Sequence, residues 1–120
     1  MSDKVTLLTH LYDRFNARDM ENVLTALDDE VTWANGMEGG HVHTRAGVRG
    51  YWTRQWAMVD PHVDPVAFSE GPEGEMIVDV HQVVHDLNGN LLADKKVGHV
   101  FRIENGLVVG AGQEQHHFRR

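Results

Sequence analysis

After Pro61 the sequence changes its period, and no other feature constrains the fold as much. Val63 to Ser69, Glu75 to Asp86, Leu91 to Glu104 and Leu107 to Gln115 read as strands, the middle runs rich in β-branched residues. The breaks between them are short. Glu70-Gly-Pro-Glu-Gly is a turn; Leu87-Asn-Gly-Asn and Asn105-Gly106 are hairpin signals, since Asn and Gly tolerate the positive φ of a tight hairpin. Four strands joined this way predict an antiparallel meander.

Before Pro61 the period is helical. Val5, Leu8, Leu11, Tyr12 and Phe15 share one face of a first helix that Ser2 or Asp3 can cap. Asp19 caps a second, with Met20, Val23, Leu24 and Leu27 on its buried side and Asp28-Asp29-Glu30 at its end. Val31 to Asn35 reads as a short strand and Gly36 to His43 as a glycine-rich loop. Thr44 opens a third helix through Val48, Tyr51, Trp52, Gln55, Trp56 and Val59, which Asp60-Pro61 ends. Helices followed by a meander predict an α+β domain.

Length and charge narrow the class. The 120 residues are enough for one domain, 1–120, with a small core. A formal net charge of −7 with scattered basic residues excludes nucleic acid as an expected partner. No apolar run is long enough to span a membrane, and the N-terminus lacks the form of a signal peptide. There is no cysteine for disulfide or thiolate chemistry. The expected location is cytoplasmic.

Strand alternation names the residues that can line a pocket. Trp33 and Asn35 share one face; His99, Phe101 and Ile103 another; Ala111, Gln113 and Gln115 a third. On the run from Glu75, the inward set is Val78, Val80, Gln82 and Val84, which puts Asp79, His81 and His85 outside. Tyr51, Trp52 and Trp56 close the side. Such a lining, aromatic with a few amides and one imidazole, suits a small organic ligand. The expected ligand-binding residues are Trp33, Tyr51, Trp52, Trp56, Gln82, Phe101 and Gln113. The expected catalytic residues are His99, as general acid or base, and Asn35, polarising a carbonyl. No metal or other cofactor is called for. His41-x-His43 lacks the further ligands a metal needs and reads as rim histidines. Glu38 is the one carboxylate placed to serve as a substitute base, with a solvated loop acid as the plainer reading. The tail from His116 reads as solvated. The outward face of the meander is partly apolar around Val100, so a homodimer through the sheet is expected.

The words Leu11 to Asp19, Asp28 to Trp33, Gly47 to Trp52 and His99 to Gly106 resemble the NTF2-like superfamily, and within it the SnoaL-like and ketosteroid-isomerase-like branch. The resemblance covers essentially the whole chain. It implies a cone-shaped α+β barrel: three N-terminal helices and a curved antiparallel sheet enclosing an apolar pocket. Ketosteroid isomerases use a carboxylate base, a tyrosine and a protonated aspartic acid. Word for word, those positions fall here on Asn35, Leu11 and His99, with Tyr12 about 100° around the helix from Leu11. None of the three roles is kept in kind. Cofactor-free acid/base catalysis of an isomerase- or cyclase-like kind is one expectation; a non-catalytic dimeric binding or assembly module is the other.

Overall fold

The computed structural model describes residues 3–36 and 39–113. Ser2, Glu38, Gln115 and the tail from His116 lie outside the described residues. Helix α1 (Asp3–Asn16) turns on its apolar face: Leu8, Leu11, Tyr12 and Phe15 are buried. Its end is a left-handed turn at Arg18, whose N–H bonds the Phe15 carbonyl while the Asp19 N–H returns to Arg14. Asp19 then caps α2 (Met20–Leu24), its carboxylate accepting from the Asn22 N–H.

Here the structure departs from the sequence pattern. Helix α2 ends at Leu24, and Leu27 opens strand β1 (Leu27–Ala34). Asp28, Asp29 and Glu30 are therefore strand residues, not a helix end. They occupy an irregular stretch: Leu27 pairs with Val108 and Thr32 with Gly110, and the register shifts between them. Three consecutive acids have poor strand propensity, so tertiary pairing imposes the strand. Arg45 supports it, bonding the Leu27 carbonyl at 2.9 Å and Asp29 at 3.1 Å. The glycine-rich loop is shorter than expected, because His41–His43 forms β2 against β1.

Helix α3 (Arg45–Met58) begins where Thr44 predicts; the Thr44 hydroxyl accepts from the Gly47 N–H at 3.1 Å. Four antiparallel strands follow: β3 (Val59–Glu70), β4 (Met76–Asp86), β5 (Leu91–Glu104) and β6 (Leu107–Gln113). The turn at Asn105-Gly106 has φ of 54° and 79°, as a tight hairpin with two left-handed residues requires. Strand β3 starts earlier than expected and runs through both Pro61 and Pro65. It can do so because it is an edge strand, where a missing N–H leaves no ladder bond unmade.

The sheet order is β2-β1-β6-β5-β4-β3. It is curved and unclosed, and it is not wholly antiparallel: β1 lies parallel to β6. Helices α1 and α3 pack on the concave face, where Leu8, Val23, Val48, Trp52, Val78, Val80, Phe101 and Val108 form the core. No helix among the described residues is long and apolar enough to cross a membrane.

One side chain ties the first helix to the exposed edge. The Asn16 amide donates to the Val63 carbonyl at 2.8 Å and accepts from the Val63 N–H at 3.0 Å. It serves both backbone groups of an edge residue. Asn16→Ala leaves them unmet in a half-buried place, at a cost of about 2 kcal/mol, and should lower the melting temperature by roughly 5–10 °C. An unchanged melting temperature would mean that water replaces the amide at no cost.

Candidate functional site

Between α1, α3 and the concave sheet lies a hollow of about 690 Å³. Its position follows from the strands. Along β4 the inward residues Met76, Val78 and Val80 are buried, whereas Gln82 and Val84 face open space. Along β5 the same progression runs from buried Phe101 through half-buried His99 and Val97 to exposed Lys95. These are register partners: Met76 with Phe101, Val78 with His99, Val80 with Val97, Gln82 with Lys95. The core end of the sheet therefore passes into a wall and then a mouth.

At the inner end, the Tyr12 hydroxyl and His99 Nδ1 are 2.7 Å apart, with the two rings within 3° of parallel. Phe101 stands edge-on to both rings, its centroid 6.0 Å from each. Burial pushes the Tyr12 phenol well above its usual range. Burial also pushes His99 down, to about 4. Both shifts favour the uncharged forms, so near neutral pH this is a neutral phenol bonded to a neutral imidazole. A phenol is a better donor than an imidazole N–H. We assign the shared proton to Tyr12, which leaves Nε2–H as the ring's remaining donor.

The side wall is a cluster of rings. Trp52 meets Trp33 edge-on at 5.1 Å and Phe15 at 5.3 Å. Tyr51 also lines the hollow, and its hydroxyl accepts from the Gly36 N–H at 3.1 Å, holding the β1–β2 loop. Asn35 is 8% exposed; its backbone N–H and carbonyl bond Gly40 and Gly39 across the same loop. Gln82 and Gln113 line the hollow as well, and Gln113 is the register partner of His99.

Of the residues singled out from sequence, His99, Asn35, Trp33, Tyr51, Trp52, Gln82, Phe101 and Gln113 thus line one hollow. Trp56 does not. It stacks on Trp52 at 6.0 Å, lies under the Arg18 guanidinium, and borders a separate cleft of about 390 Å³. One turn along α3 carries it past the wall. Of the two rim histidines, His41 lines the hollow beside Gly39 and Gly40, and His43 does not. His43 meets the Thr32 hydroxyl at 3.3 Å. Among the described residues no group of three potential ligands could hold a metal.

Tyr12 and Lys95 are among the lining residues that the sequence pattern did not single out. Tyr12 sits on the apolar face of α1, but a word match gives the tyrosine role to its neighbour Leu11. Both are buried, because the face spans more than the 100° between them. Lys95 is found by counting back along β5 from His99 in steps of two.

Comparisons with known proteins identify the fold. The chain is similar to an NTF2-like protein of unknown function from Burkholderia pseudomallei K96243, with 29% identity and a TM-score of 0.83 over 95% of this chain and 91% of that one. It is similar to TerC co-crystallised with polyporic acid, at 21% identity and TM-score 0.82 over 94% and 91%. It is also similar to a Mycobacterium tuberculosis protein in complex with estradiol-17β-hemisuccinate, at 13% identity and TM-score 0.81 over 96% and 95%. The fold is therefore NTF2-like. The SnoaL-like domain model matches residues 8–111, and the chain belongs to that family. No curated protein sequence matches it.

The neutral state of His99 has a consequence for stability. Its native pKa, about 4, lies below the ordinary value of 6.5 that the unfolded chain adopts. The unfolded state therefore binds this proton first as pH falls. Stability from this source is complete above pH 6.5 and is lost between 6.5 and about 4. Urea unfolding of wild type and His99→Gln at both ends of that window isolates the effect from carboxylate titration. The wild type should lose on the order of 2 kcal/mol more than the variant. Parallel losses would show that the native ring charges freely.

Proposed function

We propose that the hollow binds a small, ring-built organic ligand, with His99, its tautomer set by the Tyr12 hydroxyl, donating Nε2–H to a carbonyl oxygen at the inner end and no cofactor taking part. The observation that carries this reading is the 2.7 Å bond between two neutral groups at the base of an aromatic cavity. A paired phenol and imidazole in a dry place cost desolvation, and a ligand carbonyl gives the remaining donor a partner. Solved structures of the same fold hold polyporic acid and estradiol-17β-hemisuccinate, which supports a ring-built ligand.

Near neutral pH the pair keeps one donor, His99 Nε2–H. That is the requirement for polarising a carbonyl or supporting an oxyanion, as an isomerase- or cyclase-like reaction demands. Asn35, on the same wall, is the second polar group for that role. Such a reaction also needs a proton acceptor. An imidazole with a pKa near 4 is a weak base at neutral pH, and the described lining contains no Asp or Glu. These two facts favour the second reading, a binding module without turnover. Pairing of two copies through the outer sheet face, where Ile77 and Val100 are half-buried register partners, belongs to the same proposal. A monomer mass in light scattering removes that part of it.

The carbonyl-holding role is tested by a matched pair of probes. 2-Acetonaphthone should raise the melting temperature more than 2-ethylnaphthalene, which lacks the oxygen. Tyr12→Phe should reduce the affinity ratio of ketone to hydrocarbon by roughly three- to tenfold. A ratio indifferent to Tyr12→Phe rules the pair out as the carbonyl anchor. In any turnover assay His99→Gln should abolish activity, and full activity in that variant removes His99 from the mechanism.

A further inference from the structure

The lining of the hollow is unequal in charge. The chain carries a formal net charge of −7, yet among the described residues that line the cavity there is no Asp or Glu and one Lys or Arg side chain, Lys95. Lys95 is placed there by register. It pairs with Gln82 across β4 and β5, two steps beyond the Val80–Val97 pair and four beyond Val78–His99, so its side chain starts from the inner face. It is exposed, at the open end of that series, and makes no ion pair or hydrogen bond with the described residues. Lys4 bonds both Glu70 and the Gly74 carbonyl, whereas Lys96, like Lys95, is exposed with no such partner among the described residues, so it is the inner-face position that sets Lys95 apart. Lys96, the next residue, starts from the opposite face, where its register partner is His81. On that face His81 is bonded to Asp94 at 2.7 Å.

A cation at the mouth, a neutral donor at the base and rings between them define two ends of a ligand. Resting on the binding role given to the hollow above, we propose that it selects organic anions: an apolar ring body whose carboxylate, sulfonate or enolate meets Lys95 at the mouth. Lys95 is the residue that determines this specificity. The selection is local. At physiological ionic strength charges more than about 8 Å away are largely screened, so the acidic remainder of the protein cannot cancel a contact made at the mouth.

The test uses two probes of one skeleton, the anion 8-anilinonaphthalene-1-sulfonate and the neutral N-phenyl-1-naphthylamine, titrated by fluorescence into folded protein. Wild type is compared with Lys95→Gln, Lys95→Glu and the outer-face control Lys96→Gln. Lys95→Gln should weaken the anionic probe by about fivefold and leave the neutral probe unchanged. Lys95→Glu should deepen that loss, and Lys96→Gln, which removes the same charge from the other face, should have no effect. Added salt should weaken the anionic probe on wild type more than on Lys95→Gln. Equal effects of Lys95→Gln and Lys96→Gln would overturn the proposal, since a general field, not a mouth contact, would then be at work. So would anionic binding indifferent to Lys95. In both cases the neutral probe still bound leaves the hollow itself standing as a binding site. Failure of both probes to bind overturns this inference together with the binding reading beneath it.

Discussion

The concave face of a curved sheet has to be covered, and this chain has two long helices to cover it with. Everything at the site follows from that shortfall. Helices α1 and α3 reach the Met76–Val80 end of β4 and the Phe101 end of β5, and there the side chains are buried to completion. Each fully buried valine or leucine at that end contributes about 1.5–3 kcal/mol. Beyond it the strands continue with little resting on them. The inward residues change accordingly, from valine and phenylalanine to histidine, glutamine and lysine. The hollow is thus the uncovered part of an inner face whose covered part is the core, and the side chains record the boundary residue by residue.

Much of this was legible in the sequence because it depends on short-range rules. The period of two fixes which residues of β4, β5 and β6 face inward once a single one is placed, and His99 with Phe101 places them. Thr44 three residues before Gly47, and the Asn105-Gly106 pair, specify a helix start and a hairpin through local bonds alone. What was not legible depends on partners distant in sequence. Strand β1 is held by β6, some eighty residues on, at Leu27, Thr32 and Trp33, on either side of three acids that no local rule makes a strand. Strand β2 exists because β1 offers it an edge. The hydrogen bond of Tyr12 to His99 spans 87 residues. A helix face tells that Tyr12 is buried, but not which strand residue its hydroxyl meets. Trp56 shows the opposite error. Its spacing from Trp52 suggests a shared wall, yet stacking on Trp52 places it behind that wall, where Arg18 covers it.

The carboxylates of the chain are kept to its outside in a way that supports the neutral pair. Asp19, Glu21 and Asp86 have pKa values lowered by hydrogen bonds from Asn22, Arg49 and Asn90 respectively. Asp60, beside the left-handed turn at Arg18, is engaged by that guanidinium. None of these lines the hollow. A carboxylate near His99 would favour the imidazolium and raise its pKa. With no carboxylate in the described lining, burial decides the protonation state unopposed.

That decision is reinforced by occupancy. A ring-built ligand entering the hollow displaces water from around His99 and Tyr12, and each loss of water further disfavours their charged forms. On the proposed binding role, the pair would therefore be a more dependable donor in the bound state than in the free one. An imidazolium at the base would behave differently: it would attract an anionic group inward and compete with Lys95 for it. A neutral base and a cationic mouth leave no such competition. For a ligand of the kind proposed, they would set its charge toward solvent and its carbonyl toward the sheet.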